Sequence, residues 1–188
     1  MEGESKIISM IMAGLKFSKT EIGKIAKDEK YTNTAITLIS IVVLFGAVIA
    51  LFKGNSGSSG VVRMGLTGIT AAIAELGSLV IGTFLSAFVM VYVLRIFKAE
   101  ATFNGVLRVY GAAIIWTLLK LVFGLILPPG LAMVAVLFWL AYNFAVLFGL
   151  TGYTGIKLWK SFVSIVITFA IIFIIMLPYG SIIKLLFG

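Results

Sequence analysis

The sequence predicts an all-α protein: a polytopic membrane helical bundle of five transmembrane helices preceded by an N-terminal amphipathic cytoplasmic segment. Apolar stretches of about 17 to 20 residues, almost free of ionisable groups, recur five times between short basic connectors. Hydrophobic residues make up 61% of the chain and charged residues 12%, against about 25% charged in soluble domains. A bilayer core of about 30 Å is crossed by roughly 20 residues rising 1.5 Å each, so every stretch is long enough to span or nearly so. Soluble single-domain folds are thereby excluded.

Residues 1–34 read as a cytoplasmic amphipathic tail. Ile7, Ile8, Ile11, Met12 and Leu15 fall on one helical stripe, and Ile22, Ile25 and Ala26 resume that spacing after a break at Phe17–Thr20. Ser18 with Glu21 three residues on has the pattern of a capping box, so a second short helix is expected to start there. The tail is too charged between Lys16 and Lys30 for a cleavable signal and is expected to stay attached. Two placements fit it: in the membrane interface, or packed on the cytoplasmic ends of the bundle.

Residues 35–188 form the five-span domain, with spans at about 35–52, 73–94, 109–127, 131–150 and 161–177. The second span reaches back to Met64 if Glu75 is tolerated within it. Lys53 to Gly60 is a Gly/Ser linker with no side chains able to build a site. Pro128-Pro129-Gly130 forces a tight turn between spans three and four, and Pro178-Tyr179-Gly180 is expected to stop span five.

Eleven Lys and Arg residues lie on the tail's side of the spans and three on the other, which places the N-terminus in the cytoplasm and the C-terminus outside. The net charge of +8 therefore reads as topology and attraction to anionic lipid headgroups. No basic, aromatic-interleaved soluble domain is present, so nucleic acid is not an expected partner.

The composition points away from an enzyme. With no Cys and no His, thiol nucleophiles, imidazole bases and the common zinc and haem ligand sets are missing, and no cofactor or metal site is expected. The seven carboxylates show no acid/base or metal-ligand spacing inside a span, and no phosphate-binding glycine loop occurs.

Ionisable groups in lipid are costly, which singles out Glu75 and Lys120 as a candidate intramembrane pair in the outer half of the bundle. The alternative is a lysine that snorkels to the headgroups and a glutamate already in water. Tyr142 and Asn143 are candidates for polar packing across helices. Thr70, Ala74, Ser78, Gly82 and Ser86 form a small-residue stripe suited to close helix packing, within the chain or between copies. On the cytoplasmic side Arg95, Lys98, Arg108, Gly152, Tyr153, Lys157 and Lys160 are candidates for contact with a protein partner.

Three segments carry a family resemblance: Lys16 to Lys30 with the apolar run from Ala35, Phe97 to Ala113, and Gly149 to Ser161. In their order and spacing they resemble the Ypt-interacting-protein (Yip) domain family of five-span membrane proteins, prokaryotic type. The similarity covers about residues 16–177. Two positions depart from the family pattern: no proline stands near Phe17 and Ser18, and Trp116 occupies the place of a proline in the third span, which implies loss of a kink. The resemblance implies a non-enzymatic membrane protein with the same five-span topology. Eukaryotic relatives bind Rab-type GTPases and affect vesicle traffic and membrane shape. For a chain with so short a tail, it implies a scaffold or membrane-organising role through the tail and cytoplasmic loops. The rival expectation is a small ion channel or solute transporter lined by Glu75, Lys120 and Asn143.

Overall fold

Among the described residues, eight α-helices follow the apolar rhythm. The computed structural model describes residues 2–53, 68–126 and 132–187. Two short helices come first, α1 (Glu2–Leu15) and α2 (Lys19–Lys27), then a 3₁₀ turn at Glu29–Tyr31 leading into α3 (Thr32–Lys53). After them run α4 (Gly68–Ile96), α5 (Phe103–Ala113), α6 (Ile115–Ile126), α7 (Ala132–Thr154) and α8 (Leu158–Phe187). The linker after Lys53, Arg63 and the Pro128-Pro129-Gly130 turn lie outside the described residues.

Five stretches are long and apolar enough to cross a membrane: Glu29–Phe52, Gly68–Ile96, Phe103–Ile126, Met133–Thr154 and Leu158–Pro178. They make this an integral membrane protein, because apolar helices of that length satisfy their own backbone and are solvated by lipid. The outward surface agrees: Phe52, Phe88, Ile126, Met133 and Ile174 are exposed large apolar residues on five different helices. Such side chains contact lipid.

The spans differ from expectation in two places. The third is not one helix: it breaks at Ile114 into α5 and α6, although no proline is present. The Ile114 amide still bonds Tyr110 O at 2.9 Å, and Leu118 N bonds Ile114 O at 3.0 Å, so the backbone stays paired across the interruption. Likewise Pro178 does not end the last helix, since α8 runs through it to Phe187. Proline is tolerated inside membrane helices where local adjustments satisfy the freed carbonyl.

Helix α5 lies at the centre. Every residue from Gly105 to Ala113 is buried, and α1, α2, α3, α4 and α7 all touch it. Its buried side chains, Val106, Leu107 and Val109 among them, join Met10, Ile22, Ile39, Met90, Leu94 and Leu150 in one continuous core. The core thus includes residues of the tail. Toward the far end of the bundle the rings of Phe123 of α6 and Phe138 of α7 lie 5.2 Å apart between centroids, tilted at 34°.

The tail packs on the bundle. On α1 the buried residues are Met10, Ala13 and Gly14, while Ile8 and Met12 of the expected apolar stripe are exposed. Small residues form the contact face because Gly14 lies directly against the Ala112 carbonyl. Helix α1 ends in a Schellman motif, with Ser18 N bonded to Ala13 O at 3.2 Å and Phe17 N to Gly14 O at 3.3 Å. Phe17 takes the left-handed conformation there (φ 50°), which glycine normally fills. Its ring stacks on Trp116 at 5.0 Å and 11°, and Trp116 Nε1 donates to Gly14 O at 3.1 Å, offsetting that strain.

Candidate functional site

The tail-side end of the bundle is assembled from segments far apart in sequence. Ser18 caps α2, its Oγ accepting from Glu21 N at 3.2 Å. Ile22, Gly23, Ile25 and Ala26 then turn inward against α5 and α7. Gly23 and Gly152 make the crossing possible, because a Cβ on Gly23 would stand 2.6 Å from the Gly152 carbonyl carbon. Gly152 in turn lies under the Lys19 carbonyl. Helix α7 continues past the expected end of the fourth span at about 150, and Gly149 to Thr154, its last turns, form the platform for α2.

The C-terminal end of α2 is capped from inside the protein. Arg108 of α5 is only 3% exposed, and its Nη1 donates to Ala26 O at 2.7 Å. A cation at a helix C-terminus meets the negative end of the helix dipole. Beside it Tyr153 OH accepts from Thr102 N at 3.0 Å and lies 3.1 Å from Thr102 Oγ1, which also accepts from Gly105 N at 3.1 Å. The end of α7 is thereby tied to the start of α5. Thr151 Oγ1 donates to Ser161 Oγ at 2.9 Å and so joins α7 to α8 across the 155–157 turn.

Around these contacts opens a cleft of about 720 Å³, bordered by Ala26, Lys27 and Glu29 of the tail, Arg95, residues 99–102, Arg108, and Tyr153 with Thr154. The candidate interaction residues thus divide. Arg95, Lys98 and Lys157 are exposed, and Lys160 is half-buried with its Nζ 5.9 Å above the Trp159 ring. Arg95 lies 5.5 Å above the Tyr92 ring. Arg108, Gly152 and Tyr153 also make internal contacts, and Arg108 and Tyr153 border the cleft. Lys27, Glu29, Glu100 and Thr102 border the cleft and were not singled out in the sequence. The cap pattern of Thr102 and the pair Gly149 and Gly152 were the available signals.

A second opening lies inside the membrane-spanning region, a cavity of about 200 Å³ between α4, α6, α7 and α8 with Tyr110 of α5 on its wall. Lys120, Tyr142 and Asn143 all border it. Asn143 Nδ2 is bonded within its own helix, to Trp139 O at 2.8 Å, and Tyr142 lies 6.4 Å from the Tyr110 ring. Glu75 is 1% exposed and interacts electrostatically with Lys120. Glu75 is therefore inside the bundle and not in water.

The small-residue stripe of α4 serves two environments. Ala74 and Ser78 are buried, but Ser78, Gly82 and Ser86 border the cavity, and nothing lies within 4 Å of a Cβ added at Gly82. Among the described residues no helix approaches closely at Gly82, so within the chain close packing covers only part of the stripe. Among the described residues no cluster of metal-binding side chains occurs.

A model of the Yip1 domain family matches residues 18–179. The chain belongs to that family. The match starts at Ser18, the cap of α2, and ends one residue beyond Pro178, so in this Yip1-domain protein the docked helix α2 and all five spans lie within the family region, and α1 precedes it. No curated protein and no solved structure matches the Yip1-domain chain.

Proposed function

We propose that this Yip1-domain protein is a non-enzymatic membrane scaffold whose working surface is the tail-side face, with the N-terminus cytoplasmic and the C-terminus outside. The observation that carries this reading is the convergence of three remote segments, α2 with the turn after it, the connector at 99–102 and the end of α7 at Tyr153 and Thr154, around one charged cleft. The excess of Lys and Arg on that side supports the orientation. Exposed Lys24, Lys98 and Lys157 on rigidly tied segments suit recognition of a protein partner.

Photo-crosslinking in the native membrane tests it. A photoreactive residue at position 24, 98 or 157 should give discrete protein adducts, whereas one at the lipid-exposed position 174 should not. Adducts at 174 alone would refute the assignment of the working face.

The interior cavity favours a second reading, passage of an ion or small solute past Lys120, Tyr142 and Asn143. Flux in proteoliposomes separates the two. The scaffold reading expects no flux above empty liposomes, and flux abolished by Lys120→Ala would establish the second.

A further inference from the structure

We infer that the tail-side cleft is a binding site for a phosphate group, supplied by an anionic lipid headgroup or by a free phosphate. The inference starts from the charge state of Arg108. An arginine stays protonated in proteins. This one is 3% exposed, its Nε is enclosed with no hydrogen-bond partner, and its one bond is to a neutral carbonyl, Ala26 O. Among the described residues no carboxylate pairs with it. A buried charge is costly unless paired, and the C-terminal end of α2 supplies only about half a unit of negative charge. With no ion pair to Arg108 among the described residues, an anion entering from outside can supply the counter-charge.

The cleft that Arg108 borders is built to receive it. Lys27 and Arg95 stand on its walls, exposed and without ion pairs among the described residues, and Thr102, whose hydroxyl caps α5, brings the N-terminal end of that helix to the cleft. Arginine and lysine together with a helix N-terminus are the donors that phosphate oxygens select. Glu29 and Glu100 also border the cleft, leaving one net positive charge. Their carboxylates accept hydrogen bonds, so they favour a headgroup with hydroxyls beside its phosphate, such as glycerol, over choline. The depth is right for a headgroup: Tyr92 and Trp159, both exposed, flank Arg95 and the α8 start as interfacial aromatics do. The site is independent of the scaffold reading, since a transporter of the same fold would carry it too.

The test is thermal unfolding of the full-length protein in detergent, titrated with short-chain phosphatidylglycerol, short-chain phosphatidylcholine and inorganic phosphate. Phosphatidylglycerol should raise Tm saturably, and phosphatidylcholine should not. Arg95→Gln or Lys27→Gln should weaken the apparent affinity about tenfold, the scale of one charge-assisted contact. Lys157→Gln, which removes the same charge outside the cleft, should leave it unchanged. An equal effect of inorganic phosphate identifies a free phosphate as the source, and an effect confined to the lipid identifies the headgroup. The inference is overturned if neither probe exceeds phosphatidylcholine, or if Lys157→Gln weakens binding as much as Arg95→Gln.

Discussion

Arg108 Nη1 donates to Ala26 O at 2.7 Å, joining two residues 82 positions apart and locking the tail helix α2 to the central helix α5. The bond is buried, so its loss leaves a helix-end carbonyl without a partner. Arg108→Ala should cost about 1.5–3 kcal/mol, the range for hydrogen bonds to charged groups. Thermal unfolding in detergent measures it, and an unchanged Tm would mean that the bond contributes nothing to docking.

The Gly23–Gly152 crossing makes a steric prediction. A Cβ at Gly23 falls 2.6 Å from backbone, so no side-chain rotation relieves the clash. Gly23→Val should destabilise by about 3 kcal/mol or more and lift α2 off α7. Limited trypsin digestion reads this directly, because Lys24 and Lys27 would become cleavable in the variant while resisting cleavage in the parent protein.

Gly82 carries the opposite expectation. It borders the cavity with nothing within 4 Å of an added Cβ. Gly82→Leu should therefore change stability by no more than about 0.5 kcal/mol. A large fall in Tm would show that another helix, from this chain or a second copy, closes on the stripe.

Glu75 and Lys120 are predicted to be energetically coupled. Removing one partner of a buried pair costs about 3–5 kcal/mol, because the other charge is left in a poor environment. Glu75→Gln and Lys120→Gln should each lower Tm, and the double variant should lose much less than the two losses added. Additive losses would support separate roles, with Lys120 snorkelling to the headgroups.

The number and approximate limits of the spans were legible because lipid imposes a length and a composition that local sequence displays. The break in the tail at Phe17 and the cap at Ser18 were legible for the same reason, being set by neighbours three residues away. Arg108 was not. It reads as a connector cation because it stands just before an apolar run, yet α5 starts at Phe103 and the tail covers it. Its burial comes from a contact 82 residues distant, which no local period contains. The interruption between α5 and α6 at Ile114 was hidden likewise, since no proline marks it. Along α4 the small residues signalled close approach, but whether a helix or a cavity faces them depends on where α6, α7 and α8 stand.

The central claim is that the tail is an integral part of the bundle's working face and not a segment lying on the membrane. Hydrogen exchange by mass spectrometry on the full-length protein in nanodiscs tests it most directly, comparing the parent with Arg108→Ala. The account predicts that amides of residues 22–27 in the parent are protected to the level of α5 and lose that protection in the variant. Rapid exchange of residues 22–27 in the parent, with α5 still protected, would contradict it.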